Sequence, residues 1–340
     1  MAVHRLIDAY DLVVFDLDGV VYLIDRPIVG AVPAINRLHA AGKRLAYATN
    51  NASRRADEVA ELLTGMGIPA RSEEVLTSAA AAATLLAERL EPGAPVLVVG
   101  APALRAEIQA VGLRPVTRAA QAPVAVVQGY GPQVGWSELA EACLAVRQGA
   151  LWAATNTDRT LPSPRGPLPG NGALVAALVA ALDRDPDIVV GKPAPALFTA
   201  AAHQTGARRP LVVGDRLDTD IEGAIRAGMD SLLVLTGVSG AVDLLTAPPA
   251  RRPTYVAADL SGLFEAGVVI DLSGEELDGG GPVGWQLVDE GGELRLTGAG
   301  EVLEALRLLC RSAWSGQPVA AVAAGSAAAA ATLRELGLMG

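Results

Sequence analysis

The chain has 340 residues, a net charge of −10 and 51% hydrophobic residues. This length exceeds one ordinary core and predicts two or three domains, and the hydrophobic content excludes a disordered chain. The acidic balance argues against nucleic acid as a partner because no basic stripe is present. It permits a small phosphorylated metabolite, since a bound metal can supply local positive charge.

The cysteines and the apolar stretches indicate in which cellular compartment the protein resides. Cys143 and Cys310 lie far apart and form no CxxC motif, which favours reduced core residues in a cytoplasmic protein. The start MAVHRLIDAYD has no apolar region typical of a signal peptide. Charge, Gly or Pro interrupts the Ala-rich stretches too often for a membrane span. We therefore expect a cytoplasmic protein with no membrane partner.

The first predicted element is a buried parallel strand over Leu12–Phe15, in the stretch DLVVFDLDGVVY. Asp16 and Asp18 follow at its C-terminal end, where open α/β sheets bind ligands. Two carboxylates spaced two apart on an extended chain point the same way, and they repel unless a cation lies between them. The spacing predicts a divalent metal, a proton-transfer role, or both, and Gly19 permits a tight turn.

A second strand is predicted over 43–48, after a helix at 31–41. It runs into Thr49, Asn50 and Asn51, directly before the next helix. Such a junction provides a nest of hydrogen-bond donors for an oxyanion. Ordinary helix capping by Asn51 is an equally simple role, and the two roles are compatible.

The middle of the chain predicts a separate α/β unit from about residue 78 to 186. Its strands are expected at 95–100, 124–128 and 151–155, each followed by a helical pattern. The loop 156–170 holds four prolines and is too long for a simple connection. Polar residues in that loop, Asn156, Asp158 and Arg159, are candidates for binding the variable part of a ligand.

Two further motifs follow this unit. Lys192 comes after a short strand in the Pro-flanked turn VVGKP, an apolar setting that is unusual for a solvated lysine. The strand 210–214 then ends in Asp215 and the sequence DRLDTD, which reaches Asp220. Helix capping needs one acid rather than three, so the surplus indicates metal binding.

The C-terminal part changes composition from about residue 265. A Gly-rich linker is predicted at 278–281, and a hairpin is predicted from strands at 285–288 and 293–297 around Asp289-Glu290-Gly291-Gly292. Two helices and a short strand at 318–322 complete the prediction. This part contains no cluster of titratable residues.

The four elements FDLDG, ATNN, GKP and GDRLDTD, in this order, resemble the haloacid dehalogenase superfamily of phosphatases. The segment between the second and third elements is similar to the inserted cap of its subfamily IIA, the NagD-like group. The resemblance implies an α/β fold: a Rossmann-like core with a parallel sheet (1–77 and 187–264), an inserted α/β cap of the C2 type (78–186) and a small α+β extension (265–340). The extension weakly resembles a fragment of an acetyltransferase fold but lacks a trustworthy pyrophosphate-binding loop.

The resemblance also implies roles for the motif residues. Asp16 would be the nucleophile and Asp18 the acid and base, with Thr49 and Lys192 completing the catalytic set. The cofactor would be Mg²⁺, bound by Asp16, by Asp18 through its backbone carbonyl, by Asp215 and, through water or as an outer partner, by Asp220. The predicted phosphate- and substrate-binding residues are Gly19, Thr49, Asn50, Asn51, Lys192, Asn156, Asp158 and Arg159.

The implied activity is hydrolysis of a phosphomonoester through an aspartyl-phosphate, with glycerol 3-phosphate as the expected substrate. Alternatives from the same family are phosphoglycolate, pyridoxal phosphate and nucleotides. A phosphomutase, a receiver-type signalling module and an inactive scaffold are alternatives of other classes. An inserted cap and a role for Asp18 argue against the receiver module, and the intact motifs argue against the scaffold. The sequence also leaves open whether the protein forms a homodimer.

Overall fold

The computed structural model describes residues 5–24, 26–265, 269–272, 284–290, 293–315 and 322–339. The chain packs as two compact units. Unit 1 contains residues 1–22, 28–44 and 207–340, and unit 2 contains residues 23–27 and 45–206. This division by packing differs from the predicted domain boundaries, which were drawn between motifs and stay a prediction.

Unit 1 is built around a sheet that begins with the predicted first strand. In spatial order its strands are Val269–Asp271, Tyr255–Ala257, Asp230–Val234, Pro210–Gly214 and Leu12–Phe15. All neighbours are parallel except the edge strand Val269–Asp271, which is antiparallel to its neighbour. The register places Val14 opposite Val212 and Phe15 opposite Val213. The strand Leu12–Phe15 is fully buried, as its uninterrupted apolar sequence predicts.

The α-helices of unit 1 connect these strands and continue into the C-terminal part. They are Ala31–Ala40, Glu222–Arg226, Ala241–Leu245, Val302–Trp314 and Ala327–Glu335. Single 3₁₀ turns occur at Leu6–Ala9, Pro249–Arg251 and Leu260–Leu263, and a π-helical turn occurs at Leu217–Ile221.

The C-terminal part has the predicted hairpin. Trp285–Glu290 pairs antiparallel with Glu293–Gly298, and Val322–Ala324 adds a parallel third strand. The predicted Gly-rich linker at 278–281 and most of the predicted strand at 318–322 lie outside the described residues. The helix Val302–Trp314 packs its apolar face on the rest of unit 1, where Leu306 and Cys310 share a buried cluster with Leu244.

Unit 2 contains two sets of parallel strands. Arg44–Thr49 pairs with Val75–Thr77. A five-stranded sheet has the order Ile188–Val189, Leu151–Ala154, Ala125–Gln128, Pro95–Val99 and Arg114–Val116. Trp152 is fully buried in the core on one face of this sheet. The loop after Ala154 forms a small antiparallel ladder between Thr160–Leu161 and Leu168–Pro169, which the prolines had not indicated.

The α-helices of unit 2 follow the predicted order. They are Ala56–Gly65, Ser78–Ala87, Pro102–Ala110, Trp136–Arg147, Asn171–Leu182 and Ala196–Thr205. Short 3₁₀ turns occur at Ser72–Glu74 and Ala119–Gln121, and two-residue strands at Tyr22–Leu23 and Arg26–Pro27. The α/β class with parallel sheets is therefore confirmed. Among the described residues, no helix is both long enough and apolar enough to cross a bilayer.

Candidate active site

Three carboxylates come together in unit 1. Asp16 follows the strand Leu12–Phe15 and Asp215 follows the neighbouring strand Pro210–Gly214, so both lie at the same edge of the sheet. The backbone N–H of Asp16 continues the ladder by donating to the Val213 carbonyl (2.8 Å). Asp220 reaches the same place from the π-helical turn. One carboxylate oxygen from each of Asp16, Asp215 and Asp220 lies within 4.8 Å of the others, and all three residues are buried.

The Asp215 carboxylate is held by backbone that approaches it closely. The N–H of Val238 donates to Asp215 Oδ2 (2.7 Å). A Cβ on Gly237 would come within 1.9 Å of the same oxygen, and a Cβ on Gly19 within 2.4 Å. Gly19 also has φ +89°, a left-handed conformation that favours glycine. Any side chain at these two positions would therefore displace the carboxylate, which gives Gly19 a structural role beside its predicted contact with the ligand.

The Asp220 carboxylate is fixed in a similar way. The N–H of Arg216 donates to Asp220 Oδ2 (3.2 Å). A Cβ on Gly214 would come within 2.2 Å of the Asp220 Cβ. The Arg216 guanidinium donates to both Asp218 oxygens (3.1 and 3.0 Å), so Asp218 is engaged away from the cluster.

The donor set fits a magnesium ion. Three buried carboxylates this close repel one another strongly unless a cation or a proton lies among them. Every donor is a carboxylate oxygen, the hard ligand that Mg²⁺ prefers. Asp18 is half-buried in the turn where the Gly19 N–H donates to the Tyr22 carbonyl (2.8 Å). Its carboxylate is not part of the cluster of three, so a contribution through its backbone carbonyl stays a prediction.

The second group of predicted residues lies in unit 2, at the end of the strand Arg44–Thr49. Thr49 is buried, and its Oγ1 accepts a hydrogen bond from the Asn51 N–H (3.1 Å). The Asn51 side chain in turn accepts from the N–H and the hydroxyl of Ser53 (2.8 and 2.7 Å). The side chain of Asn51 is thus used inside the turn, while the following helix begins only at Ala56.

Asn50 connects this turn with Lys192. Its Oδ1 accepts from the Lys192 N–H (2.8 Å), and its Nδ2 donates to the Lys192 carbonyl (3.1 Å). The Lys192 ammonium donates to the Ala48 carbonyl (3.1 Å), and the residue is only 3% exposed. Gly191 allows Asn50 to approach the Lys192 backbone, because a Cβ on Gly191 would come within 2.6 Å of Asn50 Oδ1. The strand residue Ala48 therefore fixes the side chain of the lysine, and Asn50, directly after the strand, fixes its backbone.

The polar residues of the loop 156–170 divide into two kinds. Asn156 is buried and donates to the Asn50 carbonyl (2.7 Å), which also accepts from the Ser78 hydroxyl (2.7 Å). Asp158 accepts from Asn50 Nδ2 at both carboxylate oxygens (3.2 and 3.1 Å). Arg159 is exposed, and its backbone carbonyl accepts from the Gly170 N–H (2.9 Å).

The structure thus gathers Asp16, Asp215 and Asp220 in unit 1, and Thr49, Asn50, Lys192, Asn156 and Asp158 in unit 2. Gly237, Val238 and Ser78 also contact these residues, and no sequence pattern points to them. Gly237 and Val238 lie in the sequence LTGVSG, which has no chemical signature. Ser78 begins an Ala-rich helix, where a serine is most simply a capping residue.

Comparison with known proteins gives the family. The haloacid dehalogenase-like hydrolase profile matches residues 13–114, and a HAD-hydrolase-like profile matches residues 189–263. These matches contain all four predicted motifs. The chain belongs to the haloacid dehalogenase-like hydrolase family.

Individual relatives agree with this assignment. The chain is 50% identical over 293 residues to D-glycerol 3-phosphate phosphatase of Mycobacterium tuberculosis, covering 86% of this chain and 80% of that protein. It is 37% identical over 254 residues to an acid sugar phosphatase of Staphylococcus aureus, covering 74% of this chain and 96% of that protein.

Solved structures extend the likeness to the C-terminal part. The crystal structure of glycerol phosphate phosphatase from M. tuberculosis in complex with magnesium has a TM-score of 0.89 and 46% identity, covering 98% of this chain and 99% of that one. A 4-nitrophenylphosphatase from Thermotoga maritima has a TM-score of 0.71 and 32% identity, covering 76% of this chain and 98% of that one.

Proposed function

We propose that this chain is a magnesium-dependent phosphatase that hydrolyses glycerol 3-phosphate through an aspartyl-phosphate on Asp16. The observation that carries the proposal is the buried group Asp16, Asp215 and Asp220 at the strand ends. The 50% identity to a D-glycerol 3-phosphate phosphatase supports the choice of substrate.

The proposed reaction has two steps. In the first, an Asp16 oxygen forms a bond to phosphorus while the bond from phosphorus to the glycerol oxygen breaks, and Asp18 gives its proton to that leaving oxygen. In the second, Asp18 takes a proton from water as the water oxygen attacks phosphorus. The bond from Asp16 to phosphorus then breaks and phosphate leaves. Asp16 is again a free carboxylate, and Asp18 again carries its proton.

Neutralising the charge of the phosphoryl group is the other requirement of this reaction. Magnesium held by Asp16, Asp215 and Asp220, with the Asp18 carbonyl as a further ligand, would supply positive charge for the phosphoryl oxygens. The Thr49 hydroxyl and the Asn50 backbone are the proposed hydrogen-bond donors to those oxygens, whereas the N–H groups of Asn51 and Gly19 already donate to Thr49 Oγ1 and to the Tyr22 carbonyl. Lys192 offsets the negative charges of the nucleophile and the phosphate.

The leaving group is assigned to the loop 156–170. Arg159 is the exposed charged residue among the three predicted there, so we assign it the contact with the glycerol hydroxyls. In the sequence, the stretches 129–136 and 156–172 contain two aromatic residues for stacking a base or a pyridine, Tyr130 and Trp136, which favours a small polyol. Phosphoglycolate, pyridoxal phosphate and nucleotides are the competing substrates.

A panel of substrates tests the proposal. Values of kcat/KM are measured for glycerol 3-phosphate, phosphoglycolate, pyridoxal phosphate and a nucleoside monophosphate at one Mg²⁺ concentration. Glycerol 3-phosphate is expected to lead, and Arg159→Ala is expected to raise its KM more than that of p-nitrophenyl phosphate. A lead of about tenfold by another ester, equivalent to about 1.4 kcal/mol, would overturn the polyol assignment. Absence of multiple turnovers on every ester would favour the receiver module or the scaffold.

We assign the enzyme to the cytoplasm, where its unpaired cysteines Cys143 and Cys310 would stay reduced. Its proposed partner is a small phosphorylated metabolite rather than nucleic acid or a membrane. Cell fractionation tests the compartment, and sedimentation equilibrium of the full chain distinguishes a monomer from the homodimer considered above.

A further inference from the structure

The amide of Asn50 has its orientation fixed by Lys192. The Lys192 N–H can only donate, so the atom 2.8 Å away must be the Asn50 oxygen. The Asn50 nitrogen then faces the Lys192 carbonyl at 3.1 Å. An amide nitrogen carries two hydrogens, and this contact uses one of them.

The other Asn50 hydrogen points to Asp158. Asn50 Nδ2 lies 3.2 Å from Asp158 Oδ1 and 3.1 Å from Asp158 Oδ2, a shared hydrogen bond to a carboxylate. Hydrogen bonds to an ionised acceptor are roughly twice as strong as neutral ones. The acid therefore holds the amide in the orientation that the Lys192 backbone requires.

Asp158 is itself fixed by its own loop. Its N–H donates to Asn156 Oδ1 (3.2 Å), and its carbonyl accepts from the Gly172 N–H (2.8 Å). A Cβ on Gly172 would come within 2.1 Å of the Thr157 carbonyl oxygen, so glycine is required for this approach. The carboxylate thus extends from a braced turn toward Asn50.

From this geometry we propose that Asp158 is a positioning residue: it orients Asn50, and Asn50 places Lys192 for its contact with the phosphoryl group. The inference rests on the proposed phosphatase function and deepens it. It assigns Asp158 a role different from the contact with the leaving group that its place in the loop had suggested. The loop 156–170 then acts on the phosphoryl end of every substrate as well as on specificity.

The two roles predict different dependence on substrate. A residue that contacts glycerol affects glycerol 3-phosphate and leaves p-nitrophenyl phosphate nearly unchanged. A residue that positions Lys192 affects both esters by the same factor, because both carry the same phosphoryl group. It also weakens inhibition by inorganic phosphate, which has no leaving group.

The experiment compares Asp158→Ala and Asp158→Asn with the wild type and with Asp185→Ala, an exposed acid of the same unit. Asp158→Ala is expected to lower kcat/KM about tenfold for both esters, as loss of a hydrogen bond to a charged group implies. The inhibition constant for phosphate is expected to rise. Asp158→Asn retains an acceptor oxygen and is expected to recover to within about threefold, while Asp185→Ala matches the wild type.

A double-mutant cycle with Asn50 completes the test. Asn50→Asp keeps the acceptor for the Lys192 N–H but removes the donor to Asp158, so it is expected to give a loss that is equal for both esters. Adding Asp158→Ala to Asn50→Asp is expected to cost little more, because the two residues act in series. Thermal unfolding shows whether Asp158→Ala folds. If it does not, the equal loss for both esters that is expected of Asn50→Asp still tests the inference.

Two results would overturn the inference: a loss confined to glycerol 3-phosphate, or losses at Asn50 and Asp158 that multiply. A wild type inactive on every ester would instead refute the proposed function, so the two failures are distinguishable.

Discussion

Neutralising one acid of the cluster Asp16, Asp215 and Asp220 is expected to stabilise the protein in the absence of a metal ion. Two full charges 4.8 Å apart repel by about 3.5 kcal/mol at an effective dielectric constant of about 20. Asp215 takes part in two such pairs, and counting only one of them gives an expected relief of about 3.5 kcal/mol. Asp215→Asn keeps an oxygen for the Val238 N–H and conserves the volume between Gly19 and Gly237.

Thermal unfolding in EDTA and in Mg²⁺ measures this effect. We expect Asp215→Asn to unfold about 5–10 °C above the wild type in EDTA. At a Mg²⁺ concentration a thousand times its Kd the wild type gains about 4.1 kcal/mol, which exceeds the relief of about 3.5 kcal/mol, so the order reverses as long as the variant hardly binds the ion. EDTA is also expected to abolish wild-type turnover.

The matched control is Asp218→Asn, in the same motif but outside the cluster. Its partner Arg216 is partly exposed, so the lost ion pair is expected to change stability by less than about 1 kcal/mol and to leave the response to Mg²⁺ unchanged. Charge repulsion in the cluster is excluded as the cause if Asp215→Asn is the less stable protein in EDTA and still responds to Mg²⁺ like the wild type.

Two further predictions concern the nucleophile and the C-terminal part. Asp16→Asn is expected to lower kcat by several orders of magnitude, since an amide cannot form the acyl phosphate. Phosphate release from a preparation free of host phosphatases measures kcat. Turnover near the wild-type rate would exclude the covalent route. Leu306→Ala is expected to lower the free energy of unfolding by about 2–5 kcal/mol because its side chain is 1% exposed. The variant should also speed iodoacetamide labelling of Cys310, whose thiol pKa burial raises to about 12, with kcat unchanged; slow labelling together with lost kcat would show that the C-terminal part contributes to the site.

The sequence predicts that Asp16 and Asp215 lie close together, because their positions follow from strand order. Asp16 and Asp215 each come directly after an apolar run, and parallel strands place their ends at one edge. Asp220 depends on the π-helical turn Leu217–Ile221, and the motif DRLDTD announces acids without giving that turn. The motif therefore indicates a candidate ligand in Asp220 but not the backbone turn that carries it.

Other parts of the site follow from contacts that leave no local pattern. Asp158 and Asn50 are 108 residues apart, and a polar loop residue is compatible with binding, capping or bracing. Gly237 is needed because Asp215 lies against it, which a glycine in a loop does not reveal. The hairpin of the C-terminal part was predictable from its turn residues, whereas the packing of Leu306 and Cys310 on Leu244 required tertiary structure.

The discontinuous course of unit 1 sets an order for folding during synthesis. The strand Leu12–Phe15 leaves the ribosome long before its partner in unit 1, Pro210–Gly214. Asp11, just before this strand, accepts hydrogen bonds from the N–H groups of Arg208 and Arg209, the latter 198 residues away. At about 5–20 residues per second, the nascent strand waits roughly 10–40 s for that partner. All of unit 2 emerges in this interval, so an apolar strand that carries Asp16 must be kept from aggregating while unit 2 becomes free to fold.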